Sequence, residues 1–255
     1  MSIKNPNAEV DTNKRIVVIS LSGNIGKTVL TRFMFEPRMP HASVYNVETI
    51  NKDNKEKGVV LSGRKFQQVL SELMSINTGA IVDVGASNVE EVLRDMSKME
   101  GSHEDVDYFV IPVTPDEKPM REAVKTAHEL CKMGVESEKI RVVFNKVQHA
   151  DDIDMDFERL LYGMSNLGIP VNKKACVLES NFYDNFANLN MTLDELINQD
   201  SSKIKERLNV LRQQHSLSKN EQQEQDNLVT VLSMHRLAKS TVRNLDRAFY
   251  EVFTN

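Results

Sequence analysis

The stretch from Arg15 to Leu30, RIVVISLSGNIGKTVL, leaves the chain little freedom of fold. Ile16, Val17, Val18 and Ile19 form a β-branched run without polar alternation, the pattern of a central strand covered on both faces. Ser22, Gly23, Asn24, Ile25 and Gly26 then turn the chain, and Lys27, Thr28 and Val29 open a helix. A strand, a glycine turn and a helix start, in that order, aim several backbone N–H groups and the positive end of a helix dipole at one point. Such a point suits a phosphate. Lys27 adds a point charge for β/γ oxygens, and the Thr28 hydroxyl is a hard oxygen ligand of the kind Mg²⁺ takes.

The full phosphate-loop pattern, G-x-x-x-x-G-K-[ST], asks for glycine five positions before Gly26, where this chain has Leu21. Two readings therefore compete: a phosphate loop, or a strand–turn–helix whose glycines only make the turn. The apolar strand before, the helix after and Gly23 within the turn favour the first.

Short apolar runs alternate with helical patterns as far as about residue 180. Strands are expected at Arg15–Ser20, Ser43–Glu48, Ala80–Val84, Tyr108–Val113, Arg141–Asn145 and Ala175–Leu178. Helices are expected at 28–35, 62–75, 88–98, 117–133 and 153–166, with Pro37 and Pro40 ending the first and Asn88 and Asp116 as N-caps. This alternation predicts an α/β fold with a doubly wound, mostly parallel sheet, whose ligand lies at the carboxyl ends of the strands. A polar lead-in over 1–14, a sheet domain over 15–190 and a helical C-terminal extension over 191–255 follow.

In that extension, from Thr192 on, there is no proline or glycine. Ile204, Leu208 and Leu211 mark one helix. Leu228, Val231, Leu232, His235, Ala238, Val242, Leu245, Phe249 and Val252 mark a longer amphipathic one, and the polar SLSKNEQQEQDN between them reads as a loop. Residues 201–255 hold nine Lys/Arg against six Asp/Glu, the one mildly basic region of a chain with net charge −5. Arg236, Lys239, Arg243 and Arg247 recur at helical spacing, either as a solvated face or as a stripe for non-specific DNA or a partner.

Acids and amides at strand ends are the candidates for chemistry. Glu48 closes the second strand, where it would place a water near the phosphates or sit as a surface carboxylate. Asp83 ends the third, where it would support Mg²⁺ or cap the next helix. Asn145 ends the fifth; its amide matches the N6/N7 edge of adenine, and Asn is also a common turn residue. Asp53 and Glu56 fall in a charged run, KDNKEK, read as solvated loop. The histidines, His103, His128, His149, His215 and His235 among them, lack ligand spacing and read as surface or core-edge residues. Cys131 and Cys176, 45 positions apart, suit a reducing cytoplasm. No apolar stretch approaches the roughly 18 residues of a membrane span, and the polar N-terminus is no signal peptide.

Ser22-Gly23-Asn24-Ile25-Gly26-Lys27-Thr28 resembles the deviant loop K-G-G-x-G-K-[ST] of the ParA/MinD-type P-loop ATPases, which also lack the first glycine. Asn46-Val47-Glu48 stands at that family's D-x-D, Asp83 at its third-strand acid, and Ile111-Pro112-Val113-Thr114-Pro115 at its fourth-strand ending. SGNIGKT, EPRMP and VETIN look more narrowly like the StbB-type plasmid stability proteins, a ParA-like group of conjugative plasmids. The resemblance covers about residues 14–180. It implies a sheet of the P-loop NTPase type, ATP and Mg²⁺ as ligands, and a role in plasmid segregation or positioning. It also implies a plasmid-encoded DNA-binding partner and a homodimer formed with ATP. Two positions depart from the family: Ser22 replaces the lysine that reaches the partner's phosphates, and Glu48 replaces an aspartate. ATP binding carries over; a lysine-bridged dimer does not, and hydrolysis is expected to be slow or absent, the latter leaving a scaffold that binds without turnover.

Overall fold

A computed structural model describes residues 10–48, 59–61 and 66–254. It divides into two compact units, one formed by the chain up to Glu179 together with Leu245 onward, the other by Ser180–Asn244.

The first unit is built on seven parallel strands: β1 (Arg15–Val18), β2 (Ser43–Val47), β3 (Val59–Leu61), β4 (Ala80–Val84), β5 (Tyr108–Val113), β6 (Ile140–Val147) and β7 (Cys176–Leu178). Their order is β3-β2-β4-β1-β5-β6-β7. The α/β, doubly wound class expected from the sequence is the one observed. Six of the strands were expected; β3 was not, being three residues long behind the KDNKEK run. Asp53 and Glu56 lie outside the described residues.

Residues alternate between the two faces of the sheet. Val17, Ile19, Val82, Val84, Phe109, Ile111, Val113, Val142 and Phe144 share one core with α2 (Phe66–Ser75), α3 (Val89–Lys98), α4 (Glu117–Lys132), α5 (Ile153–Asp156) and α6 (Glu158–Asn166). Ile16, Val18, Ile81, Val110 and Val143 are also buried, and by the two-residue period they face the other way. That second face receives α1 (Lys27–Leu30), which runs on through a π turn (Thr31–Phe35) and a 3₁₀ turn (Glu36–Arg38). Pro37 sits inside that last turn rather than ending the helix before it, since the first turn of a helix needs no N–H from it. The crossover from β1 to β2 runs opposite to those from β3 onward, so right-handed connections put α1 on one face and the later helices on the other. β1 lies at the reversal, between β4 and β5. Ligands bind at such switch points.

Asn88 and Asp116 stand at the N-cap positions of α3 and α4, yet neither side chain caps. The Asn88 amide donates to Val47 O and Ser87 Oγ, and Asp116 accepts from Thr114 Oγ1.

Gly163 lets α6 approach α4: a Cβ there would lie 2.6 Å from Val124 Cγ2 and 3.0 Å from its Cγ1. A β-branched neighbour yields poorly. Gly163→Ala is therefore expected to destabilise by about 1–3 kcal/mol through overpacking, read as a lower denaturant midpoint at unchanged slope. An unchanged midpoint would refute the close approach.

The second unit holds α7 (Phe182–Phe186), α8 (Leu193–Ile197), α9 (Ser201–Arg212) and most of α10 (Lys219–Phe253). Ile204, Leu208 and Leu232 are its small core, with Leu228 and Val231 against them. The segment SLSKNEQQEQDN, expected as a loop, is helical from Lys219. Ser218 and Glu221 exchange side-chain-to-backbone bonds as a capping box, and Arg207 grips Glu224 through two 2.7 Å bonds, so a polar sequence is held helical. His235, expected at a surface or core edge, is 2% exposed with its Nδ1 2.8 Å from Leu196 O. Arg236, Lys239 and Arg243 are exposed.

The last turns of α10 belong to the first unit. Phe249 and Phe253 pack on Phe35 at 6.1 and 6.3 Å between centroids, Phe253 also meets Tyr108 at 5.3 Å, and Arg38 pairs with Asp246 at 2.6 Å. Arg247, also exposed, lies in this part. Among the described residues no helix is long and apolar enough to cross a membrane.

Candidate functional site

The chain leaves β1 through Ile19, whose N–H bonds Val110 O, and turns at the carboxyl edge of the sheet. The Leu21 N–H reaches Thr126 Oγ1 at 3.3 Å and the Ser22 N–H reaches Ser20 Oγ at 3.2 Å. Asn24 and Gly26 take left-handed φ values of 57° and 83°, the asparagine being one of the few side chains that tolerate this. The first backbone bond of α1 is Leu30 N–H to Gly26 O, so the amides of Lys27, Thr28 and Val29 have no carbonyl one turn back.

Lys27 is only 7% exposed. Its Nζ donates to Ser22 O at 2.7 Å and to Ser20 O at 3.3 Å, placing the ammonium inside the turn. Burial holds its pKa below the ordinary lysine value, and the carboxylates of Asp83, Glu122 and Glu48 oppose that shift in this order. Register explains part of the assembly: Asp83 pairs with Val18 of β1 on one side and Asn46 of β2 on the other. Glu48 follows β2 directly, and its Cγ would lie 3.4 Å from a Cβ on Gly85. That approach is possible because residue 85 has no side chain; Val47 O and Asn88 Nδ2 crowd the same spot at 3.2 and 3.3 Å.

Asp83 is 5% exposed, Ser22 3%, and Thr28 is exposed at the start of α1. Asn145, 5% exposed, donates Nδ2 to Ile25 O at 2.7 Å. A Cβ on Gly26 would come within 2.5 Å of that nitrogen. Only one of its two amide hydrogens is used there, and Oδ1 remains an acceptor.

Two neighbours of this cluster were not singled out in the sequence. Glu122, on the inner side of α4, has a buried Oε2 without a hydrogen-bond partner. Together with Leu21, Ala86, Ser87, Glu90, Arg121 and Lys125 it lines a cleft of about 430 Å³ beside the turn. Lys146 is the other: its Nζ reaches Asn24 O at 3.3 Å. An asparagine–lysine pair ending an apolar strand was the available signal for it. Cys176 is ill suited to nucleophilic chemistry, since burial pushes its thiol up to about 11.

The Thr28 hydroxyl and the Asp83 carboxylate are hard oxygen donors, a set whose chemistry fits Mg²⁺. Among the described residues no three His, Cys, Asp or Glu side chains group to hold a metal. One hydroxyl, one buried carboxylate and a cationic loop are what remain, the economy expected where phosphates and waters supply the other ligands.

No protein-family description matches the chain, and no curated protein matches it. Solved structures resemble it in outline. A chain of the MinC:MinD cell division protein complex of Aquifex aeolicus aligns over 69% of this chain and 85% of its own, with 15% identity and a TM-score of 0.48. The ATP complex of a Cyanothece McdA variant aligns over 73% and 91%, at 15% identity and 0.46. A ParA family ATPase from Chlorobium tepidum aligns over 92% and 98%, at 15% identity and 0.41.

Proposed function

We propose that the chain is a Mg²⁺-dependent, ATP-binding ATPase of the partition type, a nucleotide-gated switch in plasmid stability, segregation or intracellular positioning. The observation that carries the phosphate site is Lys27, a nearly buried ammonium inside a glycine turn at the sheet's switch point, faced by Asp83, Glu122 and Glu48. A buried cation held by two carbonyls, and only influenced through the field by three acids, is costly as structure alone. It gains its use when a polyanion enters.

Ser22, Gly23, Asn24, Ile25, Gly26, Lys27, Thr28 and Val29 would surround the phosphates, with Lys27 on the β/γ oxygens. Thr28 and Asp83 would hold Mg²⁺, which supplies charge neutralisation at those oxygens. Glu48, one methylene longer than aspartate, would orient water from a shifted backbone. Asn145, still anchored to Ile25 O, has an N–H and Oδ1 left for an adenine edge. The resemblance of the loop supplies the rest of the reading: a cytoplasmic protein, a plasmid-encoded DNA-binding partner, a homodimer, and non-specific DNA contact through Arg236, Lys239, Arg243 and Arg247. A second reading, a scaffold that binds nucleotide without turnover, is favoured by Ser22 alone, because the loop lysine that would bridge two subunits is absent.

Phosphate release from ATP, measured across Mg²⁺ concentrations with and without plasmid DNA, tests this. Wild type should show Mg²⁺-dependent turnover that Lys27→Ala loses. Binding without turnover in every condition would select the scaffold; no binding at all would overturn the phosphate site.

A further inference from the structure

Successive side chains of a strand point to opposite faces of its sheet. Asn145 and Lys146 do not behave that way: both reach the same turn, at Ile25 O and Asn24 O, neighbouring carbonyls of the glycine loop. The cause lies in the backbone. β6 pairs with β7 at Phe144↔Cys176 and again at Val147↔Leu178, so β6 spends three steps where β7 spends two. The extra residue is a bulge, and Lys146 within it takes φ 56°. A lysine gains nothing from the left-handed region, which its Cβ disfavours; only two described non-glycine residues adopt it, Lys146 and Asn24, and these two are bonded to each other. Bulges are a known means of re-aiming a side chain next to a site.

We infer that the Asn145–Lys146 bulge is a clamp that holds the glycine loop in its anion-receiving shape before ligand arrives, and that Lys146 is a positioning residue for nucleotide binding. The inference rests on the phosphate-site reading of that loop. Asn145 fixes Ile25 O from the buried side, where the missing Cβ of Gly26 makes room for its amide. Lys146 fixes Asn24 O from the solvent side. The two carbonyls are thereby turned toward β6, and in a trans peptide the N–H points the opposite way, which leaves the Ile25 and Gly26 amides to an anion. A preorganised loop does not lose its ordering entropy at the moment of binding.

Lys146→Gly separates this role from a structural one. Glycine accepts φ 56° without strain, so the variant should melt no lower than wild type, yet it loses the bond to Asn24 O. The affinity of the full chain for a fluorescent ATP analogue should fall about threefold to tenfold, the worth of one lost hydrogen bond. Lys146→Arg, which keeps a donor of similar reach, should recover it. Hydrogen exchange of the peptide covering residues 20–28, measured without nucleotide, should be faster in Lys146→Gly than in wild type. Wild-type affinity in Lys146→Gly, or unchanged loop exchange, overturns the clamp. Failure of wild type to bind the analogue, with faster exchange still seen in Lys146→Gly, would leave the clamp standing and remove the phosphate-site reading instead.

Discussion

Lys27→Ala should lower ATP affinity on the order of 100-fold, since truncating one buried partner of a charged contact costs several kcal/mol, while the shape-matched Lys27→Met should melt no lower than wild type. The second half follows from the direction of the Lys27 pKa, which burial depresses despite Asp83, Glu122 and Glu48. Below the depressed native value both folded and unfolded chains hold the proton, and the full cost of burying the charge is present. Between that value and the ordinary one the native state gives up its proton first, so stability rises with pH. At neutral pH methionine, which carries no charge, escapes the cost, and the wild type alone should gain stability toward alkaline pH through this group. Titration calorimetry and thermal melts across pH measure both halves. Undiminished ATP affinity in Lys27→Ala, or a melt for Lys27→Met several degrees below wild type, would contradict the assignment.

Gly26→Ala is expected to damage both stability and binding. Its φ of 83° strains any residue with a Cβ, by about 1–2 kcal/mol. The new methyl would also meet Asn145 Nδ2 at 2.5 Å, so the amide must leave Ile25 O, at a cost of about 1 kcal/mol for the lost bond. In a chain of this size each kcal/mol lowers the midpoint by roughly 2–4 °C, so a fall of about 4–12 °C is expected, together with loss of nucleotide binding. Asn145→Ala in the same background should return part of the stability, because it removes the obstacle. If Gly26→Ala melts and binds as wild type does, the packing of amide on glycine is wrong.

What the sequence disclosed, and what it withheld, divides along the range of the interactions. The strand of Ile16–Ile19, the acid ending AIVDV and the glycine turn are local patterns, and the sheet followed from them. The bulge at Lys146 depends on the register of β7, some thirty residues on, and no local pattern encodes it. Glu122 looked like any polar position of an amphipathic helix until packing on β5 and α6 fixed which side α4 presents to the turn. β3 is three residues long and takes its identity from pairing with Tyr45, Asn46 and Val47. The helical start at Lys219 is the opposite case: Ser218-Lys219-Asn220-Glu221 is a capping-box pattern readable in sequence. Its polar surroundings concealed it. The partnership of Phe249 and Phe253 with Phe35 joins positions more than two hundred apart, beyond any periodicity.

That last partnership bears on the order in which the protein can be made. Parallel β-sheets already assemble slowly, because every strand pair waits on a distant segment. Here the face of the sheet behind Phe35 waits longer still. Its cover, from Leu245 to Phe253, leaves the ribosome after all seven strands and after α1 to α9. Until then the nascent domain shows Phe35 and Tyr108 to whatever is near, the state in which growing chains aggregate or recruit chaperones. Synthesis stalled before residue 245 would leave a sheet with its strands in hand and the patch around Phe35 and Tyr108 uncovered.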